Sequence, residues 1–281
     1  MTPTDTAVVV GVDGSADSHA AVELGAWEAN RRGLPLRLVH GVLPPVAYGP
    51  TFSAARLSAT ELAQARALLD TTTTALTDRY PRLTVTQAAI VQGPAGLLVD
   101  QSATASLVLV GSRGHRVLTR VLGGSVSGQV AAHAHAPVLI VHADDPAPGT
   151  GPVVVGVDGS APAEAALAFA AEEADARCVP LIAVHTLPRH VEDLDKARWQ
   201  ADLMLTSALS GWTDKYPGLV VRPCVVDGVN AADGLRDAAD GAGLLVVGCR
   251  GHGGFAALLL GSVSQSLAGN APAPLAVIHA H

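Results

Sequence analysis

Lysine is almost missing from this 281-residue chain: only Lys196 and Lys215 occur, both in the second half. A P-loop needs a lysine after its glycines, so the first half cannot build one from its own residues. Aromatic residues make up 3% of the chain, and Trp27, Trp199 and Trp212 are not spaced as a stacking platform. They are expected in cores or interfaces. The three cysteines, Cys178, Cys224 and Cys249, show no close metal-ligand spacing and suit a reducing compartment. They are expected as buried thiols, with Cys249 the one placed to be oxidised. Basic residues are also short, 18 against 25 acidic ones for a formal net charge of −7, which argues against a nucleic-acid footprint. No apolar run approaches the ~18 residues that a membrane span needs. The opening Met1-Thr2-Pro3-Thr4-Asp5 has neither the basic nor the apolar region of a signal peptide. The expectation is a cytoplasmic protein with no nucleic-acid and no membrane partner.

What the chain has in abundance is repetition. Val8-Val9-Val10-Gly11-Val12-Asp13-Gly14-Ser15 returns as Val153-Val154-Val155-Gly156-Val157-Asp158-Gly159-Ser160. Leu109-Val110-Gly111-Ser112-Arg113-Gly114-His115 returns as Val246-Val247-Gly248-Cys249-Arg250-Gly251-His252. Gly124-Ser125-Val126-Ser127 returns as Gly261-Ser262-Val263-Ser264, and Ala136-Pro137-Val138 as Ala273-Pro274-Leu275. Self-similarity on this scale means two copies of one folding unit. The Pro/Gly-rich stretch between them reads as a linker. The expected division is residues 1–143, a linker at 144–151, and residues 152–281.

Each copy alternates short apolar runs with alanine-rich segments. In the first copy the runs are Ala7–Val10, Leu36–Val39, Val85–Val91, Leu107–Val110 and Val138–Val141. Continuous apolarity over so few residues suits strands covered by helices on both faces. Ser18–Arg31 and Ala163–Ala176 read as helices capped by Ser15 and Ser160, with Pro162 tolerated in a first turn. Leu57–Leu76 and the shorter Trp199–Leu209 read as a second helix in each copy. The predicted fold class is α/β: two tandem doubly wound, Rossmann-like domains, each with a five-stranded parallel sheet.

Ligands of open parallel sheets gather beyond the carboxyl ends of the strands, where the strand order reverses. The most permissive backbone lies there, in Gly11-Val12-Asp13-Gly14-Ser15 and in Gly111-Ser112-Arg113-Gly114. Successive amides in such turns, with serine hydroxyls, can make a concave anion site. Neither copy has the dinucleotide fingerprint G-x-G-x-x-G, so phosphate binding would rest on amides, hydroxyls and Arg113 or Arg250. Asp13 and Asp158, at strand tips, are candidates to hold Mg²⁺ or to accept from a ribose or base. Each signal has a plainer reading. Asp-Gly-Ser is often only a capped turn, the serines can be simple caps, and the arginines can be solvated. His133, His135 and His142 invite a metal reading, but their spacing directs them to different faces and favours packing.

Gly-x2-Gly-x9-Gly-Ser after a fourth strand, with an aspartate at the tip of the first, resembles the nucleotide-binding branch of the universal stress protein family. The resemblance covers both repeats. It implies a strand order of 3-2-1-4-5 and ATP binding, with adenine near His40-Gly41 and His185-Thr186. Gly11, Val12 and Asp13 would line base and ribose, while Gly111, Gly114, Gly124, Ser125, Val126 and Ser127 would hold ribose and phosphates. The matching set is Gly156, Val157, Asp158, Gly248, Gly251, Gly261, Ser262, Val263 and Ser264. Two departures stand out: Gly41 replaces a branched residue frequent in the family, and Cys249 replaces the serine seen at Ser112. The resemblance further implies homodimerisation and a regulatory protein partner. The functional expectation is a nucleotide-dependent sensor. The alternatives are a weak ATPase or phosphotransferase, a cyclic AMP-binding protein, or an assembly module that binds no nucleotide.

Overall fold

A computed structural model describes residues 6–43, 54–112, 126–251 and 260–280. Contacts divide the chain into two compact units, Met1–Ala143 and Asp144–His281.

In the first unit the strands are β1 (Ala7–Gly11), β2 (Leu36–Val42), β3 (Val85–Val91), β4 (Ala105–Gly111) and β5 (Val138–Val141). The helices are α1 (Ala16–Arg32), α2 (Ala54–Arg79), α3 (Pro94–Ser102) and α4 (Val126–His133). All strand pairs are parallel, in the order β3-β2-β1-β4-β5. β1, β4 and β5 bury most of their residues, as strands covered on both faces must. β2 runs three residues past the expected Val39 because His40, Gly41 and Val42 pair with Ala89, Ile90 and Val91 of β3. α1 begins at its serine: Ser15 Oγ accepts the amide of Ser18 at 3.2 Å. It ends at Gly33, whose φ of 64° allows the left-handed cap.

The second unit repeats the plan with β6 (Val153–Gly156), β7 (Leu181–Leu187), β8 (Val221–Asp227), β9 (Leu244–Gly248) and β10 (Leu275–Ile278). Its helices are α5 (Ala161–Arg177), α6 (Leu194–Leu209), the single turn α7 (Trp212–Lys215), α8 (Ala231–Ala238) and α9 (Ser262–Leu267). The order is β8-β7-β6-β9-β10, again parallel throughout. α5 ends on Cys178 at φ 55°, the one non-glycine residue with positive φ among those described. Cys178 is exposed and Cys224 is half-buried, so of the three thiols only Cys249 is buried as expected. Trp199 is 64% exposed on α6.

A buried carboxylate paired with arginine braces the first helix of each unit. The Glu28 carboxylate, 0% exposed, accepts from Arg31 at 2.6 Å and Arg32 at 2.9 Å. Glu173, in the matching place, accepts from Arg177 at 2.9 Å.

The strand-tip crevice of each unit

In both units the order reverses between the first and fourth strands, and a cavity opens at their carboxyl ends. It measures about 630 Å³ in the first unit and 340 Å³ in the second, sizes that suit a small-molecule ligand.

The second crevice gathers every residue that the sequence singles out for that copy. Gly156 closes β6 and Val157 and Asp158 follow it, His185 and Thr186 lie near the end of β7, and Gly248 closes β9 with Arg250 and Gly251 beyond it. Gly261, Ser262, Val263 and Ser264 enter from the start of α9. In the first unit Gly11, Val12, Asp13, His40, Gly41, Gly111, Val126 and Ser127 line the cavity. Arg113, Gly114, Gly124 and Ser125 lie outside the described residues.

The aspartates first serve their own turns. Asp13 Oδ1 accepts from the Ser15 amide at 2.9 Å and the Ser15 hydroxyl at 2.6 Å. Asp158 Oδ1 does the same with Ser160, at 3.0 and 2.6 Å. Asp-Gly-Ser is therefore a capped turn in both copies, and the second carboxylate oxygen decides what else it can do. At Gly251 any Cβ would run into Asp158 Oδ2, so this carboxylate lies against the loop that follows β9.

The two histidines tie strand tips together. His40 Nδ1 lies 2.6 Å from the Val12 carbonyl, and His185 Nδ1 lies 2.7 Å from that of Val157. A carbonyl can only accept, so each ring donates from Nδ1. The amide of Val12 is bound by Val39 O at 2.9 Å and that of Val157 by Val184 O at 2.8 Å. The β2 end of the first crevice and the β7 end of the second thus have a fixed backbone edge.

The serines divide their work. The Ser264 hydroxyl, 1% exposed, turns inward to the carbonyls of Gly261 at 2.9 Å and Cys249 at 3.1 Å. Ser127 makes the matching bond to Ser112 O at 3.3 Å. These hydroxyls fasten a helix start to a strand tip, whereas Ser262 is exposed at the cavity. The first amides of such a helix have no acceptor in a preceding turn and can face an anion.

Several glycines are explained by helix packing alone. A Cβ on Gly111 would lie 2.9 Å from the backbone of Asp17 and Ser18, and one on Gly248 would lie 2.8 Å from Pro162. Burial pushes the Cys249 thiol up, against an opposing pull from Arg250. A neutral, buried thiol is a poor nucleophile, so the structure does not support oxidation at Cys249.

Residues that the sequence reading passed over also line the cavities. α3 contributes Pro94, Leu97 and Leu98, and α8 contributes Ala231 and Leu235. From α2 come Glu61, Gln64, Ala65 and Leu68. The pairing of Leu98 with Leu235 across the repeats was the available signal, since each packs on the first-strand glycine: a Cβ on Gly11 would meet Leu98 at 2.9 Å, and one on Gly156 would meet Leu235 at 3.0 Å.

A family model described as the universal stress protein family matches residues 6–142 and again residues 150–279. The chain belongs to the universal stress protein family. A universal stress protein of Mycobacterium tuberculosis is 37% identical over 285 residues, covering 96% of each chain. A second one from that organism is 35% identical over 290 residues, covering 96% of this chain and 95% of the relative. Among solved structures, a universal stress protein from Archaeoglobus fulgidus covers 99% of this chain and 97% of its own, with a TM-score of 0.69 at 18% identity. That likeness is one of fold. The doubled match makes this a tandem universal stress protein. Among its described residues no helix is long and apolar enough to cross a membrane, and no group of three or more His, Cys, Asp or Glu side chains could hold a metal.

Proposed function

We propose that each unit binds an adenine nucleotide in its strand-tip crevice, that ATP with Mg²⁺ is the physiological ligand, and that occupancy acts as a signal. The observation that carries this reading is the convergence in the second unit. Backbone from after β6, the β7 tip, the β9 loop and the α9 start surrounds one cavity. The donors suit a phosphate: first-turn amides, the exposed Ser262 hydroxyl and the Arg250 guanidinium. The backbone edge beside His185 and Thr186 suits a flat base. The Asp158 carboxylate suits ribose hydroxyls, or a Mg²⁺ shared with phosphate oxygens. Mg²⁺, when bound, would offset the phosphate charge beside that carboxylate. Asp13 takes the corresponding place in the first crevice.

Among the described residues that line the crevices no nucleophile is set against a base, and we take regulation by linkage as the reading to test first. A ligand that prefers one conformation stabilises it by its differential affinity. A cytoplasmic homodimer that presents its nucleotide-dependent state to a regulatory protein partner completes the reading.

The test begins with heat denaturation of the purified protein and chromatography of the supernatant for released nucleotide. Calorimetric titration with Mg-ATP and with cyclic AMP follows. Uptake of ATP, lost from the second crevice in Gly251→Val, supports the proposal. Failure of both nucleotides to bind overturns it. Phosphate release abolished by Asp13→Ala together with Asp158→Ala would replace the sensor with an ATPase.

A further inference from the structure

We infer that the two crevices are unequal sites, and that α2 makes the first the tighter by supplying a second apolar wall for a flat ring. This rests on the nucleotide reading above. Each crevice has one wall from the helix before its fourth strand. In the first unit that wall is Pro94, Leu97 and Leu98 of α3. Opposite it, Ala65 and Leu68 of α2 also line the cavity. Ala65 is buried and Leu68 half-buried. Leu68 also stands over the turn after β1, where both its methyl carbons lie 3.6 Å from the place a Cβ on Gly14 would take.

The second crevice is built differently. Among the described residues its lining includes none from α6, the helix in the matching position. Its α8 wall offers Ala231 and Leu235, α5 adds only the small Ala163, and Thr186 stands near the end of β7 where the first unit has Gly41. A base between two apolar walls loses water from both faces, and one against a single wall from only one. The roles of the two copies follow from this difference: the first fills at low nucleotide concentration and the second responds as the concentration rises. Leu68 is the residue that sets them apart.

Calorimetric titration of the full chain with Mg-ATP should resolve two steps about tenfold or more apart, the scale that one or two methylene contacts give. Leu68→Ala should weaken the tighter step about tenfold and leave the weaker one in place, while Leu68→Met retains both. Gly251→Val should remove the weaker step alone. Two indistinguishable steps in the parent protein, or a Leu68→Ala effect on the weaker step, overturn the inference and leave the nucleotide reading standing. No uptake in either unit overturns both. Thermal melting of Leu68→Ala checks that it folds, and the contrast with Leu68→Met separates a lost wall from a lost fold.

Discussion

The Ser112 hydroxyl donates to Asp17 Oδ2 across 2.7 Å, and both ends of that bond have changed together in the second copy. There Pro162 stands for Asp17 and Cys249 for Ser112. Asp17 Oδ1 also accepts the amide of Ala143 at 2.9 Å, so in the first unit one buried carboxylate ties the start of α1 to the ends of β4 and β5. In the second unit Pro162 has no side-chain oxygen to accept such a bond. Removing both partners of a buried hydrogen bond is cheap, whereas removing one leaves the other stranded.

Ser112→Ala should therefore cost about 1–3 kcal/mol of stability by stranding part of the Asp17 carboxylate. Asp17→Pro combined with Ser112→Cys, which copies the second unit, should cost less than the sum of its two single changes. Urea denaturation of the four proteins measures the coupling, and strict additivity would dissolve the link.

The buried ion pairs call for the same comparison. Arg177 is 2% exposed, so Glu173→Ala takes an ion partner from a buried guanidinium and should cost about 3–5 kcal/mol. Replacing Glu173 and Arg177 together by leucine should come out far closer to the parent. Thermal unfolding of the two variants checks the order.

Cys178 occupies the left-handed cap that Gly33 fills in the first unit. Such a conformation costs a non-glycine residue about 1–2 kcal/mol, part of which glycine returns as unfolded-chain entropy. Cys178→Gly should raise stability by up to about 1 kcal/mol, read as an upward shift of the melting temperature.

Thiol labelling separates the cysteines by environment. Burial raises the Cys249 pKa, so at any pH below it less thiolate is present than on an unshifted thiol, and alkylation is slower. Iodoacetamide at pH 8 should mark the exposed Cys178 first and reach Cys249 only in denaturant, as peptide mass spectrometry will resolve. Fast labelling of Cys249 in the native state would contradict its burial.

The tip of β2 yields a further comparison between the copies. A Cβ on Gly41 would lie 2.7 Å from Pro94 Cα and 2.8 Å from Gln92 O, both main chain. Only Gln92 and Gly93 join β3 to α3, whereas Gly228, Val229 and Asn230 join β8 to α8. The shorter loop draws α3 onto the strand and leaves no room for a side chain. The longer one admits Thr186, whose methyl occupies space left by Gly234: a Cβ on that glycine would lie 2.9 Å from Thr186 Cγ2. Gly41→Thr should cost about 1–3 kcal/mol by overpacking, and inserting one residue between Gln92 and Gly93 should recover part of it.

The α/β fold was legible because the apolar runs are short, continuous and repeated: Val85–Val91 and Val138–Val141 are strands at the expected bounds. The strand-tip glycines and aspartates were legible because two copies share them. What stayed hidden was hydrogen-bond direction and long-range packing. Nothing in Gly261-Ser262-Val263-Ser264 says that the last hydroxyl turns inward to Cys249 O. Nothing in the helical spacing of the apolar residues of α2 says that Leu68 reaches the turn at Gly14. Glu28 and Arg32 were visible at helical spacing, yet their burial depends on neighbours far away in sequence.

Gly41 with its two-residue loop, and Thr186 with its three-residue loop and Gly234, each form a matched set. Recombination between the two halves of the gene, with a crossover between β2 and α3, would join a bare strand end to the wrong span of chain. Such a chimera would either press the Thr186 side chain against a tight turn or leave a void over Gly41, a packing cost that exchange of a whole half does not carry.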